Sequence, residues 1–451
     1  MQEVLEKQRK YFATKVTYDI GYRILQLKRL KLQIKAYYSQ ILSAFKLDLN
    51  KDEFDVVTTE IGPVMKELNY MIRHLKMFAK PSKKGASFMN FGAKGYIMHD
   101  PYGIVLIASP WNYPLHLTLL PLVGAIAGGN TAVVKPSRST PNVTKVIEKI
   151  LNVFDKEYIF VATSEKDIEE IFSSKFDLIF YTGSYKRAQE LASSQAQNLT
   201  PMILELGGKS PCFVDKDADV DVAAKKIVWA KFLNAGQTCV APDYVLVHSE
   251  IKDAFIEAVK KYTAKFYYSN DELKDNFVKI INKKALDRLQ EMVDINKVVF
   301  GGKVVGEKLE PTIMTNVTRD DKCMQEEIFG PIMPILEFQD FEQELDKINA
   351  SQHPLALYYF GKDKEKIYMV KNYGRFGGGC INDCVVHLLE TKLPFGGFGE
   401  SGMGSYHGKA SFLAFTREKS VLHKPVKMEL KTKFPPQTKG KMRMAKWYFK
   451  V

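Results

Sequence analysis

With 451 residues, 45% of them apolar and 26% charged, the chain is too long for one small core and has an ordinary globular composition, which excludes disorder and predicts two or three domains. The formal charge of +13 is uneven: residues 424–451 hold nine Lys/Arg against one Glu, and no nucleic-acid-reading module accompanies them. Five cysteines without framework spacing, behind a charged N-terminus that lacks an apolar core, predict a reducing, cytoplasmic location.

Over residues 7–80 apolar positions such as Ile24, Leu27, Leu30, Ile34 and then Val64, Leu68, Met71 and Leu75 recur at three-to-four spacing, which predicts helices that cover something rather than catalyse. Residues 83–102 alternate Phe88, Asn90, Tyr96 and Met98 around Gly92 and Gly95, as in a hairpin. From 103 to 205 strand and helix patterns alternate, the signature of a parallel sheet wound with helices that binds nucleotides at its strand ends. Residues 115–134 are apolar enough to suggest a bilayer span, but Pro121, Gly128, Gly129 and Asn130 fit a buried helix, a glycine stop and a buried strand, so no transmembrane segment is expected. From 207 to about 416 an α/β texture returns, with a helix at 222–232 and a strand at 244–247.

Three stretches carry chemistry. Cys239 follows Asn234-Ala235-Gly236-Gln237-Thr238 and is a candidate nucleophile, against the plainer reading of a small buried hydrophobe. Glu205 closes the apolar run Met202-Ile203-Leu204 ahead of two glycines, where partial desolvation raises a carboxyl pKa towards that of a general base. Asn112 sits between Pro110 and Pro114, a rigid amide suited to a developing oxyanion. Cysteine, carboxylate and amide together make a thiol-acyl catalyst.

Two patterns are set aside. Gly397, Gly399 and Gly402 match Gly-x-Gly-x-x-Gly but open no βαβ unit. Cys380 and Cys384 with His387 lack the second ligand pair a zinc site needs, so no metal is expected.

The stretches PWNYP at 110–114, KPS at 135–137, YTGS at 181–184, ELGGKSPC at 205–212, GQTCVAPDY at 236–244, EEIFGP at 326–331 and PFGGFGESGMGSYHGK at 394–409 resemble, in order, the aldehyde dehydrogenase superfamily, and its class 3 branch in particular. The resemblance implies an α/β protein with a Rossmann-like cofactor domain (1–82 and 103–206), an α/β catalytic domain (207–416), and a small β oligomerisation arm with a basic tail (83–102 and 417–451). It implies oxidation of medium-chain aliphatic or aromatic aldehydes through a thiohemiacetal and thioester on Cys239, with hydride transfer to NAD or NADP. Asn112 and the Cys239 N–H would hold the oxyanion, and Glu205 would activate water.

By the same resemblance the cofactor contacts are Lys135, Arg138, Gly183, Ser184, Leu206, Glu327 and Phe329, with the diphosphate at the helix after Gly183-Ser184, where Ala188 replaces the usual glycine. Arg138 stands where relatives carry Glu, which favours a 2′-phosphate. Tyr113 and Phe395 are expected pocket walls, and Phe232 is a third candidate, against the plainer reading of ordinary core packing. A homodimer is expected, with the arm pairing to a short strand near the C-terminus. Weak anionic-lipid contact is considered for the tail through Met442, Met444, Trp447, Tyr448 and Phe449. Acyl transfer to coenzyme A and a non-catalytic, crystallin-like role stay open at this stage.

Overall fold

The computed structural model describes residues 1–351, 353–426, 428 and 431–451, so positions 427, 429 and 430 of the basic tail lie outside the described residues. The runs Ile104–Ala108, Thr131–Lys135 and Leu178–Thr182 are near-continuously apolar, as strands covered on both faces must be. With Ile159–Val161 and Met202–Glu205 they form a parallel sheet whose chain order, read across, is third, second, first, fourth, fifth. The order reverses beside the first strand, so a crevice opens past the carboxyl ends of Ile104–Ala108 and Leu178–Thr182.

Helix His116–Gly128 is buried along its whole length beneath this sheet, and Gly129 ends it at φ +86° while Asn130 N–H bonds back to the Ala125 carbonyl. Its apolar surface faces protein, and no helix among the described residues is long and apolar enough to cross a membrane.

A second sheet runs Val298–Phe300, Thr312–Met314, Ile332–Phe338, Tyr244–His248, Pro211–Val214, Ala356–Phe360, Gly378–Ile381, parallel except for its first pair. The chain then returns to the first sheet. Gly402–Met403 pairs antiparallel with the end of Met202–Glu205, and Ser411 and Phe415 pack against Gly124 of the buried helix. Residues 402–415, expected to belong with the second sheet, therefore close the edge of the first.

Ser82–Gly85, Lys94–Pro101 and Thr416–His423 make a third, antiparallel sheet with Tyr96 opposite Val421. The expected pairing of the arm with a C-terminal strand occurs within one chain, and Thr416–His423 lies at the sheet's edge.

Candidate active site

Helix Val220–Phe232 runs into a chain reversal where Asn234, Ala235 and Gly236 take φ of +55°, +52° and +72° in succession. Glycine enters that region freely, and a Cβ at Gly236 would strike the Gly330 carbonyl; Asn234 and Ala235 are held there against a steric cost. Asn234 Nδ2 donates to the carbonyls of Asn112 at 3.1 Å and Gln237 at 3.0 Å. The fully buried Gln237 side chain donates to the carbonyls of Asn234 and Lys279 and accepts from Ile281 N–H. Strain of this kind persists only where the surroundings over-determine it. Cys239 rides at the end of the reversal, half-buried.

Asn112 follows the central strand of the first sheet, and its Nδ2 donates to Gln237 O at 3.1 Å. An amide nitrogen carries two hydrogens, so one remains for a ligand beside Cys239. Tyr113 is fixed by a 2.6 Å hydrogen bond between its hydroxyl and Thr238 Oγ1. Glu205 ends its strand 2% exposed, and neither carboxylate oxygen has a hydrogen-bond partner among the described residues. Burial pushes its carboxyl well above the usual range.

Burial also pushes the Cys239 thiol up to about 12, helped by the carboxylates of Glu327 and Glu205. Glu327 itself rises to about 8 through burial and the nearby Asp243. Its carboxylate lies where a side chain at Gly207 would be, so that position has room for glycine alone. Phe329, at φ +49°, meets Trp111 edge to face with ring centroids 5.5 Å apart.

Cys239 forms part of the wall of two cavities. One, of about 240 Å³, is apolar and bounded by Tyr113, Trp229, Leu233, Leu388 and Phe395. The other, of about 230 Å³, lies at the strand ends and brings together Asn112, Gly183, Ser184, Glu205, Glu327 and Phe329, with Leu206 beside them. A nucleophile between an apolar pocket and a strand-end crevice can receive a substrate from one side and a cofactor from the other.

The profile of the Aldehyde dehydrogenase family matches residues 2–421. The chain belongs to that family. It is 44% identical, over 98% of its length and 97% of the relative's, to the 4,4'-diaponeurosporen-aldehyde dehydrogenase of Staphylococcus aureus. It is 37% identical, over 97% and 98%, to the dog "Aldehyde dehydrogenase, dimeric NADP-preferring", and family 3 members are among its relatives. The solved substrate-bound state of Staphylococcus aureus AldH covers 99% of each chain at 42% identity with a TM-score of 0.95. This protein is thus an NAD(P)-dependent aldehyde dehydrogenase with the α/β fold of that family.

The strand-end crevice fits a dinucleotide. Helix Tyr185–Gln195 opens onto it with Ser184 as a cap whose side chain bonds no N–H of the helix, leaving first-turn N–H groups for an anion. A Cβ at Gly183 would meet the Tyr181 ring, so the close approach there needs glycine. Ala188 is buried in the same helix.

Lys135 and Arg138 stand outside this crevice's wall, at the end of the neighbouring strand. The Lys135 ammonium is held below its usual value by burial and then by Arg138 and Arg187, so three cations gather there. Arg138 is exposed and makes no ion pair among the described residues, while Arg187 pairs with Glu190 at 2.5 Å.

Of the expected pocket walls, Tyr113 and Phe395 face the cavity at Cys239 and Phe232 does not. Phe232 is buried against an adjoining cavity that shares Trp229 and Leu233 with the first. Sequence reading missed Trp229 and Leu233; their i, i+4 spacing on the segment leading to the cysteine was the available signal. Cys384 is buried and Cys380 lies 3.6 Å from His387 Nδ1.

Proposed function

We propose that Cys239 is the nucleophile of this dehydrogenase, and the observation that carries the reading is its position in the shared wall of an apolar cavity and a strand-end crevice. The Cys239 thiol gives its proton to water and Sγ adds to the aldehyde carbonyl, and the oxyanion is held by the free amide hydrogen of Asn112 and the Cys239 N–H. Glu205, without a hydrogen-bond partner among the described residues and raised in pKa, takes a proton from the water that cleaves the thioester and releases the carboxylic acid. The nicotinamide, when bound, supplies the hydride acceptor.

Gly183 and Ser184 would hold the diphosphate, Leu206 and Phe329 would flank the nicotinamide end, Glu327 would accept from a ribose hydroxyl, and Lys135 with Arg138 would meet the adenosine ribose or its 2′-phosphate. The cofactor is NAD or NADP, and the name of the dog relative supports NADP. The residue division expected from the sequence is retained, with 402–415 contributing to the cofactor side.

The apolar walls suit medium-chain aliphatic or aromatic aldehydes; 4,4'-diaponeurosporen-aldehyde, from the name of the Staphylococcus aureus relative, is the third substrate to test. The deciding assay is cofactor reduction with hexanal and benzaldehyde by wild type and Cys239→Ser, with product analysis in the presence of coenzyme A. Free acid from the wild type and no reduction by the variant are expected. Acyl-coenzyme A as the product, or an active variant, refutes the reading.

A homodimer is part of the same proposal, supported by the word "dimeric" in the dog relative's name and by the edge strand Thr416–His423 with Val421 and Leu422 exposed. Helix Lys439–Phe449 exposes Met442, Trp447 and Phe449 among lysines, which supports weak contact with anionic lipid surfaces, checked by liposome co-sedimentation at low salt. A reducing, cytoplasmic setting suits the five free thiols.

A further inference from the structure

Behind the Asn112 loop two buried charges meet, both supplied by the N-terminal helical region. The Lys51 and Glu60 side chains are 1% and 0% exposed, with Nζ 2.9 Å from Oε1. Taking two charges out of water is costly, and their attraction offsets that cost only when the remaining hydrogen-bonding capacity is also used. Here it is used on one stretch of backbone. Lys51 Nζ donates to Asn112 O at 3.3 Å and stands 4.2 Å from the centre of the Tyr113 ring. Glu60 Oε2 accepts from His116 N–H at 3.0 Å, and the Leu115 N–H also reaches the carboxylate.

Those two N–H groups open helix His116–Gly128, which has no side-chain cap of its own. Glu60 therefore caps that helix from another part of the chain, and it does so from a π-helical turn, Val57–Ile61, a local irregularity that recurs at functional sites. The pair grips the loop from both ends, the ammonium on the Asn112 carbonyl and the carboxylate on the N–H groups three and four residues later. Asn234 Nδ2 makes the second bond to the same Asn112 carbonyl at 3.1 Å, so the peptide plane after Asn112 is fixed between the N-terminal region and the Cys239 loop.

We propose that Lys51 and Glu60 are positioning residues for aldehyde oxidation: they hold the Asn112 backbone so that its side-chain amide stays at the oxyanion position beside Cys239. This role rests on the reading of Asn112 as the oxyanion donor, and it goes beyond that reading by assigning function to a region that sequence patterns mark only as cover. A donor displaced by about 1 Å costs on the order of 100-fold in rate, so a pair that fixes the backbone acts on kcat without touching substrate.

The test is a double-mutant cycle between Asn112→Ala and the charge-free pair Lys51→Met with Glu60→Gln, which leaves no buried charge unpaired. For each protein kcat and KM with hexanal, the cofactor dissociation constant by fluorescence and the thermal midpoint are measured. The pair variant is expected to lose at least about 10-fold in kcat with both binding constants within about two-fold of wild type, and to change kcat less than about two-fold in the Asn112→Ala background.

A folded pair variant with wild-type kcat, or with the same fold loss in both backgrounds, overturns this role. Failure of both the pair variant and Glu60→Gln to fold overturns it too, because the two charges are then a folding element. Wild-type kcat in Asn112→Ala alone overturns the oxyanion reading and this role with it, whereas the expected loss there combined with additive effects overturns this role alone.

Discussion

The side-chain amide of Asn112 donates to the carbonyl oxygen of Gln237 at 3.1 Å, tying the loop after the central strand of one sheet to the reversal that carries Cys239 before a strand of the other. The bond fixes the amide's rotation and leaves its second hydrogen free for the proposed oxyanion contact. Asn112→Ala should therefore lower kcat with hexanal by about 100- to 1000-fold, some 2.7–4 kcal/mol, as removal of one oxyanion donor does. KM should change little, since the contact strengthens only as charge develops. A raised KM at unchanged kcat in steady-state assays would assign Asn112 to ground-state binding instead.

Glu205 has no hydrogen-bond partner among the described residues to stabilise its charge, so it is protonated until the pH exceeds its raised pKa. As a base it works only when ionised, and turnover should climb as pH rises through that range. Glu205→Gln removes the base but leaves the thiol and the oxyanion site. Stopped-flow mixing should show about one equivalent of reduced nicotinamide per subunit, then a steady state at least about 100-fold slower than wild type without the wild-type pH rise. Wild-type steady-state turnover would place the base elsewhere.

The first sheet was legible because its strands are short apolar runs between helical patterns, whereas of the second sheet only the strand at 244–247 was read; Asn112, Glu205 and Cys239 stood out as reactive groups beside prolines, at a strand end and in a small, polar loop. The structure brings the three to one crevice. What was not legible depends on long-range placement. Lys51 and Glu60 were not singled out, since sequence periodicity cannot distinguish a solvated lysine from one sealed at 1% exposure. The two-residue strand Gly402–Met403 is too short to carry any alternation, so its return to the first sheet left no pattern to read. Phe232 was singled out as a pocket wall, yet the half-exposed Trp229 three residues earlier faces the cavity at Cys239.

Glu67 offers a stability test free of catalysis. The side chain is buried, and burial raises its carboxyl from 4.5 to about 7 despite hydrogen bonds from Gly408 N–H and the Ser411 side chain. Between those values the folded chain keeps a proton that the unfolded chain has released, so this group's contribution to stability falls as pH rises through the window. Below 4.5 both states are protonated; above about 7 the full cost, about 3 kcal/mol, is present. Glu67→Gln has no proton to lose in this range. Denaturant unfolding should show the variant gaining on wild type by up to about 3 kcal/mol between pH about 4.5 and about 8. A pH-independent difference would show that the carboxyl titrates normally.

Arg138 should decide cofactor preference. It is exposed and has no carboxylate partner among the described residues, while its neighbour Lys135 is held low by burial and by the charges of Arg138 and Arg187. Gathering like charges costs energy unless an anion joins them, and a ribose 2′-phosphate offers oxygens that a guanidinium can meet with two parallel bonds. Arg187 is already paired with Glu190, which leaves Arg138 as the more available fork. A ribose without the phosphate needs an acceptor for its hydroxyls, and arginine has none to give. Wild type should use NADP at least as well as NAD, and Arg138→Glu should shift the ratio of kcat/KM values towards NAD by at least about tenfold, or about 1.4 kcal/mol, by repelling the phosphate and accepting from the hydroxyls. Lys135→Met should weaken NADP without improving NAD, because it removes a cation and adds no acceptor. A wild type that prefers NAD by about tenfold, or an Arg138→Glu variant with unchanged preference, would show that this arginine does not read the phosphate.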